Sequence, residues 1–323
     1  VSASLAAKKE DGTAGGMDLR VEALFFIAIV AVAVFFRVYM ITELPSGCYR
    51  DEGQNGTESI NIMNGTVIDG TSLPVYIERW TQNAAMYMYF AAASYKFFGI
   101  GVLQIRLVSV VFGILCVPAF YFLVRRYMGP HLAVIAGFML AATRWHVNFS
   151  RMAFLGILTV FFIILVIYFA YRVYTNRKTS DFVLLGAVLA LSLYTYLSSR
   201  LIPAGLLLFM LYVAVKEPVF YVKNWRKIAW GSLVFIILFA PMLEYAIKHP
   251  SNFMSRSATV SIFNKEMLRE IGGRYVEADG RTPKDWKKLY LENLKDTLLM
   301  FNHKGDGNPR HNAGTVPMLD FFT

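Results

Sequence analysis

Long apolar stretches, rather than alternation with a period of two or of three to four, dominate this chain. Runs at 21–41, 105–124, 153–174, 182–198 and 228–247 approach or exceed the ~20 residues a helix needs to cross the hydrocarbon core of a bilayer. Two shorter runs, 131–147 and 201–215, are also read as spans. The aromatic stretch 84–98, AAMYMYFAAASYKFF, is ambiguous, and the placement of Lys and Arg decides it. If it does not cross, the basic residues all fall on one side: Lys8, Lys9 and Arg20; Arg125 and Arg126; Arg172, Arg177 and Lys178; Lys216, Lys223, Arg226 and Lys227. That side is the cytoplasm. If it does cross, every basic cluster from Arg125 onward moves to the wrong face. The pattern therefore predicts an all-α integral membrane protein of about seven transmembrane helices, with 84–98 an amphipathic helix lying at the outer interface against the bundle.

The same pattern divides the chain into a flexible cytoplasmic lead (1–20), a transmembrane module (21–247) with a long outer first loop (42–104), and an extracytoplasmic tail (248–323). In the tail a short helix is expected over 283–301, among turns marked by Gly272, Gly273, Gly280 and Pro283. There is no internal repeat. The lead lacks the short apolar core and cleavage site of a secretory signal, and a start at Val1 points to a processed or partial product.

Composition sharpens the class. Of 323 residues, 56% are hydrophobic and only 17% charged, where a soluble domain carries about 25% charge; the mean hydropathy is +0.46. The net charge of +10 sits beside apolar runs, where the positive-inside rule explains it, so nucleic acid is not an expected partner. Cys116 lies inside an apolar run and Cys48 in a loop, so no disulfide framework is expected.

Candidate chemistry gathers in the first outer loop. CYRDEGQNGTESI (48–60) sets Asp51 beside Glu52, and PVYIERWTQN brings Glu78 and Arg79 with Tyr76 and Trp80 as a stacking surface. An interfacial carboxylate can take the proton of an acceptor hydroxyl or hold a divalent cation. Arg79, Arg151, Arg200 and Arg256 share that outer face and can clamp a phosphate by paired hydrogen bonds. Each residue has a plainer role too, as a solvated loop acid or as a snorkelling interfacial arginine. His146, His303 and His311 fall on the same side without metal-ligand spacing, and no Gly-rich loop follows a strand, so direct nucleotide binding has no support.

A first outer loop carrying DE, then Glu78 with Arg79, then an aromatic helix ending in FFG (97–99) resembles the GT-C glycosyltransferases, in particular the protein O-mannosyltransferase and lipid A aminoarabinose transferase group. Further agreement comes from IRLVSVVFGILCVPAFYFLVRRYMG (105–129), RWHVNFSRMAF (144–154), LALSLYTYLSSRLIP (189–203) and MFNHKGDGNPRHNAGTVPMLD (300–320), so the similarity spans 21–323. The resemblance implies that Asp51, with Glu52 beside it, is the catalytic base, and that Glu78 and Arg79 contact acceptor, phosphate or metal. It further implies a bacterial inner-membrane enzyme, N-terminus inside, taking a sugar from a polyprenyl-phosphate donor in the membrane lipid; the cofactor is left open, a divalent cation being one option.

Two departures stand out. Relatives often carry an Asp a few residues after the SR turn, where SRMAFLGIL (150–158) has Gly156, and relatives usually continue for several more helices. These departures favour an alternative: an inactive, transferase-derived subunit that packs against other membrane proteins. A transporter is a weaker reading, because within the spans hardly any ionisable residue is found except Arg37 and Glu244, both near helix ends.

Overall fold

A computed structural model of the chain describes residues 17–66, 70–79, 82–259, 261–305 and 316–319. It is a helical bundle. In chain order the helices are α1 (Leu19–Val38), α2 (Arg50–Met63), α3 (Met86–Phe98), α4 (Val102–Met128), α5 (Pro130–Ala142), α6 (Arg144–Ser150), α7 (Gly156–Thr175), α8 (Thr179–Ser192), α9 (Ile202–Lys216), α10 (Val219–Lys248), α11 (Pro250–Thr259), α12 (Lys265–Ile271) and α13 (Trp286–Met300). A two-residue antiparallel pair, β1 (Tyr76–Ile77) with β2 (Asn83–Ala84), forms the only sheet among the described residues.

Each apolar run of the sequence becomes a helix, with different lengths. Among the described residues, five are long and apolar enough to cross a membrane: α1, α4, α7, the segment Leu197–Lys216 that includes α9, and α10. A sixth follows if α5 and α6, bent by 56° at Thr143, count as one. Helix α8 is apolar but only 14 residues long. Pro130 starts α5 at a position where its missing N–H is an orphan anyway, and Gly129, at φ 89°, makes the tight reversal from α4.

Polar and glycine contacts set the helix packing. A Cβ on Gly186 would lie 2.0 Å from the carbonyl oxygen of Gly231, so α8 and α10 meet backbone to backbone, which only small residues allow. The fully buried Arg37 ties α1 to the α5–α6 bend, donating to the carbonyls of Ala33 and Ala141 at 3.0 Å and to His146 Nδ1 at 2.7 Å. At the end of the bundle rich in basic residues, Arg125 pairs with Glu22, Arg172 with Asp181 at 2.7 Å, and Arg177 with Glu217 at 2.8 Å.

The opposite end carries the long first loop, and it is more ordered than a connector. Helix α3 is the short helix expected over 84–98, and its Tyr87, Met88, Ala91 and Tyr95 are buried against Ile105 and Val108 of α4 and against Leu155 to Leu158. Helix α2, starting at the Asp51–Glu52 pair, is not marked by any apolar run. It is held by packing: a Cβ on Gly56 would lie 2.9 Å from the Tyr95 hydroxyl, so the glycine admits α3 at close range.

Candidate functional site

The first turn of α2 sends its two acids to different environments. At ~100° per residue, neighbours on a helix face different ways. Asp51 is exposed, while Glu52 is buried, with 4% of its surface accessible. The Glu52 carboxylate lies 2.9 Å from both Nε and Nη2 of Arg106, which is itself buried near the start of α4. It also accepts the backbone N–H of Ala153 at 2.9 Å and of Tyr49 at 3.0 Å. Burial pushes its pKa up, but Arg106 and those two N–H groups outweigh burial and hold the carboxyl below its ordinary range.

Arg106 fastens more than the acid. Its remaining donors reach the carbonyls of Pro45 at 2.9 Å and Gly47 at 2.6 Å, so one guanidinium joins the approach to α2, its first turn and α4. Arg151 does similar work nearby, donating to the carbonyls of Phe36 at 2.7 Å and Leu44 at 2.9 Å. Burial and the Arg106 charge both lower the Arg151 pKa.

Two turns farther along α2, roughly 10 Å at 1.5 Å per residue, the fully buried Glu58 meets Arg79 at 2.9 Å. Arg79 follows β1, and Glu78 beside it points the other way, into contact with the end of α10. The Glu78 carboxylate accepts the Tyr245 hydroxyl at 2.8 Å and Asn252 Nδ2 at 2.6 Å, with His249 Nδ1 at 3.6 Å. Tyr76, Tyr245 and His249 form a stack with successive centroids 5.0 Å apart. Burial raises the Tyr76 phenol pKa against the opposing charges of Arg200 and Arg256. An open cleft of about 420 Å³ borders this stack, lined by Thr71, Leu73, Tyr76, Tyr245, Lys248 and His249.

The four arginines expected on this face are thus not equivalent. Arg79 and Arg151 are engaged as described, and Arg200 donates to Ser257 Oγ and the Phe253 carbonyl, both at 2.9 Å, over the Phe253 ring at 3.9 Å. Arg256 is half-buried beside Tyr76 and makes no ion pair among the described residues. Trp80 and His311 lie outside the described residues. Among the described residues no three His, Cys, Asp or Glu converge as metal ligands; Glu78 and His249 make a two-member set that a cation would have to complete from elsewhere.

The residues that sequence reading missed are Arg106, Glu58, Tyr245, Lys248, His249 and Asn252. Arg106 carried a usable signal: it is an ionisable residue inside the 105–124 run, alongside the Arg37 and Glu244 that were singled out. Glu58, Tyr245 and Asn252 carried none, because their roles depend on contacts 21 to 174 residues away in sequence.

Comparison with known proteins adds the ancestry. The fold matches ArnT from Cupriavidus metallidurans bound to undecaprenyl phosphate, at TM-score 0.55 and 19% identity, over 72% of this chain and 42% of that one. It matches ArnT from the same organism in the apo state at TM-score 0.55 and 17% identity, over 76% of this chain and 47% of that one. The chain thus spans less than half the length of these structures. No curated protein matches it significantly. Residues 82–245, just over half of the chain, match the model of the dolichyl-phosphate-mannose-protein mannosyltransferases; with the helical membrane fold and its loop architecture, this places the chain in that GT-C family.

Proposed function

We propose that this chain carries the acid–base machinery of an inverting glycosyltransferase, which moves a sugar from a polyprenyl-phosphate donor to an acceptor hydroxyl at the outer face of a bacterial inner membrane. The observation that carries this reading is the divergence of the two acids: Glu52 is locked by four donors while Asp51 stays exposed at the start of α2. Asp51 takes the acceptor's proton as its oxygen bonds to the anomeric carbon. The bond from that carbon to the phosphate oxygen breaks, and the electron pair leaves with the lipid phosphate. His249 and Arg256, near the aromatic cleft, receive the charge that develops on the phosphate, together with Lys248, which in this structure pairs with Glu244 at 2.6 Å on the cleft wall. Glu52 and Arg106 act by positioning, and Glu78 orients Tyr245 and Asn252 at the cleft wall. The basic end of the bundle then faces the cytoplasm, with the N-terminus, as the positive-inside rule requires.

Reconstituted protein supplied with dolichyl-phosphate mannose and water or a hydroxyl acceptor tests this. Asp51→Asn should abolish release of sugar from the lipid while leaving the fold intact; undiminished turnover would remove Asp51 from the mechanism. A second reading, an inactive subunit of a larger membrane assembly, draws on the engagement of Arg79, Arg151 and Arg200 by the protein's own groups. It predicts no release by the unaltered chain and a stoichiometric protein partner in mild detergent.

A further inference from the structure

Helix α13 carries an apolar stripe that is left exposed among the described residues. Trp286, Tyr290, Leu291, Leu294 and Leu298 are each between 42% and 68% exposed, and at 100° per residue they fall within about 140° of arc. Only Leu289 of this helix is buried. The stripe extends beyond the helix: the Phe263 ring meets Trp286 at 5.7 Å, and Phe263 is 69% exposed.

Charge is sorted around that stripe. Lys287 lies within it, its Nζ 5.7 Å from the Trp286 ring centroid, and Lys295 borders it. Every acid of the helix, Glu292 and Asp296, lies on the other side with the N-cap Asp285, and Glu292 is paired there with Lys284 at 3.0 Å. A helix in water has no need of this separation, and a helix docked on a protein needs the apolar stripe but not the exclusion of acids from its lysine-bearing border. An apolar stripe of Trp, Tyr and Leu that holds one lysine, is bordered by another and is free of acids fits the boundary between acyl chains and anionic headgroups.

The position of α13 agrees. Met318 N and Leu319 N donate to the carbonyls of Met300 and Phe301 at 3.0 Å, Arg144 donates to the Pro317 carbonyl, and Trp145 meets Phe301 at 6.0 Å. The C-terminal end of α13 is therefore fastened to α6, beside the bend at the end of a bundle of membrane-length helices.

We propose that α13 lies in the plane of the membrane surface at the α2–α3 end of the bundle, with its stripe in the interface and Lys287 and Lys295 on anionic phospholipid headgroups. The test uses the whole chain in nanodiscs of phosphatidylcholine with phosphatidylglycerol. In a Cys48→Ser background, a bimane is attached through Leu294→Cys or, on the opposite side of the helix, Asp296→Cys. Doxyl-labelled lipid should quench position 294 several-fold more than 296, and aqueous iodide should do the reverse. Adding Lys287→Glu and Lys295→Glu should lower lipid quenching at 294 at least twofold. Equal access of iodide to both positions would show the stripe in water, and failure of both quenchers at 294 would show it under protein, whether a second copy or another subunit; either overturns the proposal. So does lipid quenching unchanged by the charge reversals. If the Leu294→Cys protein does not fold, Leu298→Cys reads the same face.

Discussion

Replacing Arg106 by methionine tests whether Glu52 is an anchor or a reagent. The substitution removes both guanidinium contacts to the carboxylate, at 2.9 Å each, and strands a buried charge that keeps only the N–H groups of Ala153 and Tyr49. Breaking a buried pair from one side costs about 3–5 kcal/mol, and the carbonyls of Pro45 and Gly47 lose their donor as well. Glu52→Gln attacks the same pair from the other side and should cost about 3 kcal/mol by the same argument. The double variant leaves no stranded charge, so its loss should fall short of the sum by ~2 kcal/mol or more. Unfolding equilibria in mixed micelles give all three numbers. Additive losses, or either single variant within about 0.5 kcal/mol of the parent, would refute the clamp. The pH dependence follows from the lowered carboxyl. Folded Glu52 binds a proton less readily than unfolded Glu52, whose ordinary value is 4.5. Its stabilisation is therefore complete above that value and is lost as pH falls through the lower folded value; the Gln variant should be less sensitive to acid in that window.

The other predictions address packing and the cleft. Gly186→Ala should destabilise by at least ~1–3 kcal/mol, since its methyl meets a backbone carbonyl 2.0 Å away, whereas Gly205→Ala, in open space on α9, should be neutral or stabilising in the same unfolding assay. Arg79→Ala should cost about 1–3 kcal/mol by leaving the fully buried Glu58 charge with only the Asn61 amide, at 3.3 Å; a pure phosphate clamp would instead change donor affinity and leave the unfolding curve alone. Tyr245→Phe keeps the aromatic stack but removes the hydroxyl given to Glu78. The donor kcat/KM should fall about fivefold to tenfold, for roughly 1–1.4 kcal/mol, and an unchanged ratio would separate Glu78 from substrate binding.

What the sequence revealed, and what it concealed, follows from the range of the interactions. Apolar runs mark helices because bilayer burial depends on local composition alone, yet the 131–147 run breaks at Thr143, whose ψ of 115° leaves the helical region. The 182–198 run likewise yields a helix that stops at Ser192. Helix α2 escaped notice because RDEGQNGTESINIM has two glycines and few apolar residues, and its packing surface is supplied by α3 and α4. The DE pair was legible as chemistry but not as a division of labour. Adjacency in sequence treats the two acids alike; a helix turns one through ~100° from the other, and Arg106, 54 positions later, selects which is buried. That choice has a chemical consequence. A base that must gain and lose a proton in every turnover needs access to its acceptor, while the group that fixes the geometry of its helix must keep one charge state throughout. In the proposed mechanism two adjacent carboxylates at a helix start meet both demands, because Arg106 and two backbone N–H groups hold the buried Glu52 carboxyl below its ordinary range while Asp51 stays exposed.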